Sequence, residues 1–341
     1  MINISHQKML NMIHALPCFS KPYIKNCSFE DPSLERVYKP NNMALNIPVS
    51  STINNALIIE PIEAGQSSLC FLVEYQSNKY FVKYNNIDSQ YCNNEAVKNP
   101  DFNSEVKAWQ KASSMGLSPS IIYSNEQWLV SEFVEGKTLD VKELSIDKKI
   151  DIALNLLIKC HSIKHDLSPL QPQKTIEIML NADCFSGIEQ NFTRALFCKF
   201  PLPEPDNNLV FSHGDINFSN IILTKSQAWL IDYECACLAE REFEIAMFLA
   251  INKLNSVEVL YAISSYEELS GYKVIQSKLD AYLLYSYLLN GLWYIQKSRE
   301  KKSSTPLSTK LKFFALDQFT LLNKILPHDF PYSLPTSFIM R

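Results

Sequence analysis

The segment from Phe211 to Glu234, FSHGDINFSNIILTKSQAWLIDYE, constrains the fold more than any other part of the sequence. Two short apolar runs, IILT and AWLI, are joined by KSQ, a pattern that predicts an antiparallel β-hairpin. Antiparallel pairing brings the start of the first strand beside the end of the second, so Asn220 and Asp232 should lie side by side. Asp215 lies on the loop that leads into the first strand and should be close to both.

Two carboxylates and an amide oxygen at one end of a hairpin form a site made of oxygen atoms. Hard divalent cations, Mg²⁺ above all, prefer such a site and usually share it with phosphate oxygens. A carboxylate that the metal does not use would then be free to take a proton from a hydroxyl group. This is the logic of phosphoryl transfer, in which a metal holds the phosphates and one aspartate orients the attacking hydroxyl. The structural alternative is an Asp–Asn pair that only caps a turn.

Residues 51 to 134 are dominated by strand patterns. Runs rich in β-branched and aromatic residues occur at ALIIEPIE, SSLCFLVEYQ, KYFVKY, IIYS and QWLVSEFV. The QSNK segment predicts a hairpin turn between the second and third runs. A helix should begin with Asn103 or Ser104 as its N-cap and end with Gly116 at the C′ position. This region therefore predicts a mostly antiparallel sheet with one inserted helix.

Helical spacing dominates after Gly136. It runs from Ile146 to Ile163 and through most of residues 240 to 325, and only IILT and AWLID predict clear strands. Near the start, a short amphipathic helix is predicted over Ile4 to Leu16, followed by an extended segment as far as Val49. We therefore predict an α+β protein with an N-terminal extension (1–50), a β-rich lobe (51–134) and a larger, mainly helical lobe (135–341).

The two polar motifs resemble those of a known superfamily. HGDINFSN and LIDYE are similar to the HxDxxxxN and IDxE motifs of the choline/ethanolamine kinase and aminoglycoside phosphotransferase superfamily, in its choline/thiamine-kinase-like branch. Its members have a protein-kinase-like two-lobe fold. The resemblance implies that Asp215 is the catalytic base and that Asn220 and Asp232 act with it by binding Mg²⁺. Glu234 would be a further metal-site acid, and His213 would order the loop through hydrogen bonds.

The resemblance also implies how ATP binds, which makes residues 51–134 the nucleotide-binding lobe. Lys83 in YFVKY would pair with the phosphates and with Glu105 on the following helix. The turn EAGQSSLCFLVE would cover the phosphates with backbone N–H groups and hydroxyls. The backbone of the connector WLVSEFVEG would meet adenine. The residues implied in these last two contacts are Gly65, Ser67 and Ser68 in the turn and Glu132, Phe133 and Val134 in the connector.

Glycine is scarce, and its positions fit the resemblance. Of the seven glycines in the chain, Gly65, Gly136 and Gly214 stand at the phosphate turn, the lobe connector and the catalytic loop. At such places a backbone must bend sharply or approach a ligand closely. We expect Gly214 to relax the loop so that Asp215 points into the cleft, with an ordinary turn glycine as the alternative.

The phosphate acceptor should lie in the helical lobe. After LIDYE, choline-kinase-like members carry an Arg, an aromatic residue and an acid, which Arg241, Phe243 and Glu244 resemble, although the family more often has Asp in the last position. Glu244 would either attract a cationic head group or cap a helix.

The later helical segment DAYLLYSYLLNGLWYIQK is rich in aromatic residues. Tyr282, Tyr285, Leu289 and Trp293 lie at helical spacing on one broad face. This face is either a core stripe or a cage that holds a cation by cation–π attraction. In the second case Trp293 and Tyr285 would contact the substrate together with Asp215 and Glu244.

The implied function is an ATP-dependent kinase for a small molecule with a hydroxyl group, an amino alcohol such as choline or ethanolamine. Thiamine, a sugar or an aminoglycoside are alternative acceptors within the superfamily, and a nucleotide-binding pseudokinase is an alternative of another class. The intact Lys83, Asp215, Asn220 and Asp232 favour an enzyme. The short span from Asp232 to Phe243 leaves no room for a long activation segment, which argues against a protein substrate.

Charge and cysteine content restrict the partners and the compartment. Lys plus Arg is 32 and Asp plus Glu is 36, a mild acidic balance that is compatible with a cationic substrate and does not favour nucleic acid. Nine cysteines without a CxxC motif predict free thiols in a reducing compartment. The N-terminus lacks a signal-peptide pattern, and the most apolar long run, Leu279 to Ile295, is too short and too polar to insert into a membrane. We therefore expect a cytoplasmic protein; its oligomeric state is not readable from the sequence.

Overall fold

The computed structural model describes residues 6–20, 57–62, 68–85, 102–164, 167–204, 208–300 and 306–326. The α+β class predicted from the sequence is confirmed, since an antiparallel sheet with one packed helix precedes a larger, mainly helical part. The elements of the first part are α1 (His6–His14), α2 (Pro17–Ser20), β1 (Ile58–Ile62), β2 (Leu69–Tyr75), β3 (Asn78–Tyr84), α3 (Phe102–Ser114), β4 (Ile121–Ser124) and β5 (Trp128–Glu132).

The five strands of this part form one antiparallel sheet in the order β1-β2-β3-β5-β4. The turn between β2 and β3 consists of Gln76 and Ser77 alone, both with positive φ (50° and 63°). Positive φ at both central residues is typical of the two-residue type I′ turn, whose twist matches that of the strands. The predicted QSNK turn is therefore too long, because Asn78 and Lys79 already pair within β3.

Helix α3 begins at Phe102, one residue before the predicted N-cap Asn103. The Phe102 side chain is buried in the core, and this packing extends the helix beyond its polar start signal. The predicted C-terminal end is confirmed: Gly116 has φ +69°, and the N–H of Leu117 donates to the carbonyl of Ala112 over 3.0 Å. A left-handed glycine with such a bond is the usual way to end a helix.

The second part contains the predicted helices and more strands than expected. Besides IILT and AWLID, three further strands of two or three residues occur. They are too short for periodicity to reveal. The elements are β6 (Lys137–Thr138), α4 (Ile146–His161), α5 (Pro172–Leu180), α6 (Gly187–Phe197), β7 (Val210–Ser212), β8 (Ile221–Leu223), β9 (Ala228–Leu230), β10 (Cys237–Ala239), α7 (Arg241–Ile251), α8 (Ser256–Ser270), α9 (Gln276–Glu300) and α10 (Pro306–Ile325).

A hydrogen-bonded joint links the two parts next to the β8–β9 hairpin. The N–H of Leu230 in β9 donates to the carbonyl of Leu117, which follows α3, over 2.8 Å. The hydroxyl of Ser118 lies 2.9 Å from the carbonyl of Leu230 and 2.6 Å from the hydroxyl of Tyr233. Trp109 of α3 donates its indole N–H to the carbonyl of Pro119 over 2.8 Å. This joint fixes the hairpin against the helix that follows β3.

The N-terminal helices pack on the first sheet as a separate apolar cluster. Ile13 of α1 is fully buried there, and Phe19 of α2 meets Tyr75 and Tyr80 edge to face. Trp128 of β5 belongs to the same cluster. Helix α1 ends at His14, two residues before the predicted end at Leu16, and its predicted start at Ile4 lies outside the described residues. The segment predicted as extended after Leu16 begins instead with the short helix α2, whose Phe19 packs against the sheet, and the rest of it as far as Val49 lies outside the described residues. The domain boundaries at residues 50 and 134 stay predictions.

Two further properties concern the whole described chain. The cysteines in it carry free thiols, as their number and spacing predicted. Within the described part, no helix combines the length and the apolarity that crossing a membrane requires.

Candidate active site

The loop of residues 213–220 begins with a buried histidine. His213 Nε2 lies 3.0 Å from the carbonyl oxygen of Ile231, and the N–H of Asp215 donates to His213 Nδ1 over 3.2 Å. Because Nδ1 accepts this bond, the ring proton resides on Nε2. Burial lowers the pKa of His213 to about 4, so the ring is neutral at pH 7. His213 therefore orders the loop, as the sequence predicted.

Gly214 is required by the shape of the loop. Its φ of +76° lies in the left-handed region. A Cβ at this position would stand far inside contact distance of the carbonyl oxygen of Cys235. The N–H of Gly214 donates to Oε1 of Glu244 over 3.2 Å. The loop thus turns sharply just before Asp215, which agrees with the expectation from the sequence.

Two amide side chains fix the carboxylate of Asp215. Asn217 Nδ2 donates to Oδ1 over 3.0 Å, and Asn220 Nδ2 donates to Oδ2 over 2.8 Å. Burial raises the pKa of Asp215 to about 8, against the opposing effect of the Asn217 hydrogen bond. A carboxylate with a fixed orientation and a pKa near neutrality suits a general base. Asn217 was not predicted, because the superfamily motif leaves its position open.

Asn220 and Asp232 lie at the same end of the hairpin, as the sequence predicted. Ile221 pairs with Leu230 across β8 and β9, and the N–H of Ile231 donates to the carbonyl of Asn220 over 3.0 Å. Asp232 has φ +68°, an uncommon conformation for a residue other than glycine. The left-handed turn redirects the chain directly after β9, and strain of this kind is concentrated at functional sites.

Lys83 connects the sheet to this hairpin. Its Nζ lies 2.7 Å from Glu105 Oε1, 3.0 Å from Asp232 Oδ1 and 3.4 Å from Glu234 Oε2. Burial acts to lower the pKa of Lys83, but the charges of Asp232, Glu105 and Glu234 outweigh it and raise the pKa well above its usual value. The side chain is therefore a cation at neutral pH. The predicted contact between Lys83 and Glu105 is present, and the contacts with Asp232 and Glu234 come in addition.

The connector after β5 has part of its backbone already bonded. The N–H of Glu132 donates to the carbonyl of Ser120 over 3.0 Å, and the N–H of Phe133 donates to the carbonyl of Lys79 over 3.1 Å. In this conformation neither N–H is available to donate a hydrogen bond to adenine. The side chains of Phe133 and Val134 are half-buried.

The predicted phosphate turn is described only at its end. Gly65 and Ser67 lie outside the described residues. Ser68 is half-buried and directly precedes β2, the strand that pairs with β3 and its Lys83. Its contact with phosphate stays a prediction.

The structure gives Glu244 a role that the sequence did not suggest. Helix α7 has Glu240 as its N-cap, so Glu244 does not cap it. The Glu244 side chain is 1% exposed and accepts the Gly214 N–H. Its position beneath the loop explains why an acid occurs here, and it argues against direct contact with a cationic substrate.

Tyr285 belongs to the core. It is fully buried and lies 6.1 Å, between ring centroids, from both Phe197 and Phe243. Tyr282, one helical turn earlier, donates its hydroxyl to Glu240 Oε2 over 2.8 Å. This burial and these ring contacts favour the core stripe over the cage for Tyr285, and its contact with a substrate stays a prediction.

Trp293 belongs to a different group of aromatic rings, which we call the aromatic patch: Trp293, Tyr294 and Phe314. All three are half-buried, with ring centroids 5.3 Å apart for Trp293 and Tyr294 and 5.4 Å for Tyr294 and Phe314. Burial raises the pKa of Tyr294 to about 12, and the negative charge of Asp215 adds to the shift. Of the three rings, Tyr294 is the one on which the charge of Asp215 acts. Tyr294 of α9 and Phe314 of α10 were missed, because the helical patterns of these two segments indicate no chemistry at either position.

Comparison with known proteins finds similarity to choline/ethanolamine kinases in part of the chain. The chain matches the family model of choline/ethanolamine kinases over residues 188–320. It is 24% identical over 215 residues to a protein described as a LicA homolog of Mycoplasma capricolum, covering 61% of this chain and 80% of that protein.

Solved structures show the same likeness. Choline kinase LicA from Streptococcus pneumoniae superposes with a TM-score of 0.60 at 18% identity, over 77% of this chain and 93% of that one. LicA in complex with AMP gives a TM-score of 0.61 at 17% identity, over 80% and 94%. A putative aminoglycoside phosphotransferase from Ralstonia eutropha gives 0.57 at 13% identity, over 80% and 95%. These similarities establish the fold, a two-lobe kinase-like architecture.

Proposed function

We propose that this chain, which resembles choline/ethanolamine kinases and aminoglycoside phosphotransferases, transfers the γ-phosphate of ATP to the hydroxyl of a small amino alcohol such as choline or ethanolamine. The observation that carries the proposal is the meeting of Asp215, Asn220, Asp232 and Lys83 at one end of the β8–β9 hairpin. The family match over residues 188–320 supports an amino alcohol as the acceptor.

Asp215 would accept the proton of the attacking hydroxyl. The hydroxyl oxygen forms a bond to the γ-phosphorus as the bond from that phosphorus to the bridging oxygen of ADP breaks, and the proton passes to the Asp215 carboxylate. The hydrogen bonds from Asn217 and Asn220 hold both carboxylate oxygens in place. Such fixed orientation lowers the entropic part of the barrier.

The residues around Asp232 fit Mg²⁺. Among the described residues, no three His, Cys, Asp or Glu side chains gather as a complete metal site. Mg²⁺ bound with a nucleotide takes one or two carboxylates and completes its shell with phosphate oxygens and water. Asp232 and the amide oxygen of Asn220 would hold the ion, and Glu234 would add a carboxylate close by. When bound, Mg²⁺ neutralises charge on the phosphates.

Lys83 would hold the phosphates of ATP from the side of the sheet. Its three carboxylate partners keep it charged and fix its position, and an ammonium so placed attracts phosphate oxygens. Gly65, Ser67 and Ser68 would cover the phosphates from above, and Glu132, Phe133 and Val134 would border adenine. Since the N–H groups of Glu132 and Phe133 are already used, we expect the remaining backbone groups of the connector to contact the base.

The aromatic patch would receive the cationic head group of the acceptor. An ammonium within about 6 Å of an aromatic centroid is attracted by the negative face of the ring. Trp293, Tyr294 and Phe314 offer three neighbouring rings, and the charge of Asp215 acts on Tyr294 among them. An amino alcohol is short, so its hydroxyl could lie at Asp215 while its nitrogen contacts the rings.

The experiment that tests the proposal is ADP release from Mg·ATP with choline, ethanolamine, thiamine, several sugars and several aminoglycosides. Asp215→Asn serves as the inactive variant, and Asp280→Asn, an exposed change on α9, serves as the matched control. We expect turnover with an amino alcohol, lost in Asp215→Asn and kept in Asp280→Asn, with ATP affinity unchanged in both. Turnover with a sugar or an aminoglycoside alone would refute the amino alcohol, and ATP binding without any turnover would indicate a pseudokinase.

A second variant tests the metal site. Asp232→Asn should weaken the binding of Mg·ATP while leaving metal-free ATP binding little changed, because only the ion-dependent part of the affinity is lost. Equal affinity of this variant and the unaltered protein for Mg·ATP would remove Asp232 from the metal site.

A further inference from the structure

A lysine side chain of the protein lies over one ring of the aromatic patch. Lys253 Nζ lies 4.0 Å from the ring centroid of Phe314, and it forms an ion pair of 2.7 Å with Asp317 Oδ2. An ammonium at this distance from a ring centroid makes a cation–π contact. Lys310 Nζ also lies over this ring, 5.4 Å from its centroid. Phe314 is therefore already paired with cations that belong to the chain, and Lys253 is the nearer of these two lysines.

The position of Lys253 is tied to the catalytic loop. The preceding residue, Asn252, donates its Nδ2 to the carbonyl of Ile216 over 2.9 Å and accepts the N–H of Phe218 over 2.9 Å. Lys253 itself has φ +53°, which turns the chain away from the end of α7. Lys253 therefore directly follows a residue that is hydrogen-bonded to the backbone just after Asp215.

Helix α10 is hydrogen-bonded to the end of α7, close to Lys253. Gln318 is fully buried and donates its Nε2 to the carbonyl of Ala250, in the last turn of α7, over 3.1 Å. Phe314 and Asp317 lie within one turn of Gln318 on α10. The ring and the carboxylate that receive Lys253 therefore keep a fixed place relative to the loop.

This arrangement treats two kinds of acceptor differently. A primary ammonium can donate hydrogen bonds, so it can share the Asp317 carboxylate with Lys253. A trimethylammonium group has no N–H to donate and depends on aromatic faces. Lys253 occupies a face of Phe314, and its charge repels a second cation at short range. A trimethylammonium group cannot offset this repulsion with a hydrogen bond to Asp317, so its binding is weakened more than that of a primary ammonium.

We propose that Lys253 is a specificity-determining residue: by standing on Phe314 and pairing with Asp317, it favours acceptors with a primary amine over acceptors with a quaternary ammonium. This proposal rests on the proposed function, because it assigns the choice between ethanolamine-type and choline-type acceptors at that site. Lys253 does not contact the reacting atoms; it acts on the head group alone.

The test compares kcat and KM for ethanolamine and choline in the full-length protein and in Lys253→Met. Methionine keeps a long side chain and meets the same backbone strain at positive φ, so the change removes mainly the charge. We expect the ratio of kcat/KM for choline to that for ethanolamine to rise about tenfold, on the scale of one cation–π contact. The change should appear in KM for choline, with kcat and KM for ATP nearly constant.

Two further variants make the result specific. Lys253→Arg keeps a cation and should keep the preference for ethanolamine. Lys273→Met removes a lysine from a surface ion pair with Glu267 near the other end of α9, and it should leave the ratio unchanged. An unchanged ratio in Lys253→Met, or an equal rise in Lys273→Met, would overturn the proposal.

Direct binding separates this proposal from the proposed function. Calorimetric titration of each variant with choline and with ethanolamine measures head-group affinity without turnover. We expect Lys253→Met to bind choline more tightly than the unaltered protein does, even if neither compound is phosphorylated. If turnover is present but the relative affinities for choline and ethanolamine do not change in Lys253→Met, only the role of Lys253 is refuted. If turnover is absent but these affinities shift, only the kinase assignment is refuted. Thermal melting of each variant excludes loss of folding as the cause.

Discussion

The Nζ of Lys83 lies 2.7 Å from Oε1 of Glu105, and the two side chains are 5% and 4% exposed. This buried ion pair aims Lys83 at Asp232, across the boundary between the sheet and the hairpin. We predict that Lys83→Met lowers kcat/KM for ATP by about 100-fold or more, the range measured when one fixed electrostatic contact to a reacting group is removed. Steady-state kinetics with varied Mg·ATP measure the effect.

The control for this prediction is Lys107→Met, which removes a lysine exposed on α3 only two residues from Glu105. It should leave the kinetic constants for ATP within a factor of about two, as expected for a surface change. Comparable losses in both variants would mean that the overall positive charge of the sheet lobe, and not the placement of Lys83, is what ATP requires.

Gly214 should tolerate substitution far less than Gly116 does. Both have positive φ, +76° and +69°, so alanine costs each about 1–2 kcal/mol of backbone strain. Only at Gly214 does the new Cβ collide with a backbone atom, the carbonyl oxygen of Cys235, whereas the space around Gly116 is open. We predict that Gly214→Ala lowers the melting temperature more than Gly116→Ala and also abolishes turnover.

Gly116→Ala should keep its activity, since it lies at the end of α3 and not in the loop. The prediction is tested by comparing the melting temperatures and kcat values of Gly214→Ala and Gly116→Ala. If they melted alike and both remained active, the loop would be more adaptable than its geometry indicates.

The buried acid beneath the loop should make stability depend on pH. Burial raises the pKa of Glu244 from 4.5 to about 7, so between these values the folded protein binds a proton that the unfolded chain releases. This contribution to stability is lost as the pH rises through about 7, where Glu244 must ionise while buried. We predict that Glu244→Gln matches the unaltered protein at pH 5 and exceeds its unfolding free energy at pH 8, by at most about 3 kcal/mol.

Urea unfolding at several pH values measures this difference. Glutamine still accepts the Gly214 N–H, so a loss of stability at every pH would show that the loop needs the carboxylic acid itself. A constant gap between the two proteins from pH 5 to pH 8 would contradict the raised pKa.

The N-terminal helix should contribute to the stability of the sheet. Ile13 is fully buried against the sheet, whereas the neighbouring His14 is exposed. Ile13→Ala should lower the free energy of unfolding by about 2–5 kcal/mol, the range for truncating a buried aliphatic side chain. His14→Ala should change it by about 0.5 kcal/mol or less. Similar small effects in both would mean that α1 is only loosely attached.

The sequence predicted the catalytic side of the site well, because local patterns determine it. The β8–β9 hairpin follows from two apolar runs and a short turn, and pairing alone brings Asn220 beside Asp232. Lys83 and Glu105 also follow from a strand and the next helix. The left-handed backbone of Asp232 leaves no such trace, since aspartate also occurs in ordinary turns.

The acceptor side could not be predicted in the same way. Helix α9 is buried on several faces, including Tyr282, Tyr285 and Leu292. Apolar spacing therefore does not reveal which face meets a substrate. The third ring of the patch, Phe314, comes from α10, and only tertiary packing brings α9 and α10 together. Three-residue strands such as β7 and β10 were missed because they are shorter than one readable period.

The four tryptophans are spread over separate regions of the molecule. Trp128 lies under the N-terminal helices, Trp109 at the joint after α3, Trp229 in the β8–β9 hairpin and Trp293 in the aromatic patch. Indole emission shifts in colour and intensity with the polarity around the ring. In four variants that each retain one tryptophan, the fluorescence would report on the surroundings of that one ring. Together they would report nucleotide binding, acceptor binding and N-terminal melting as separate signals, without any attached dye.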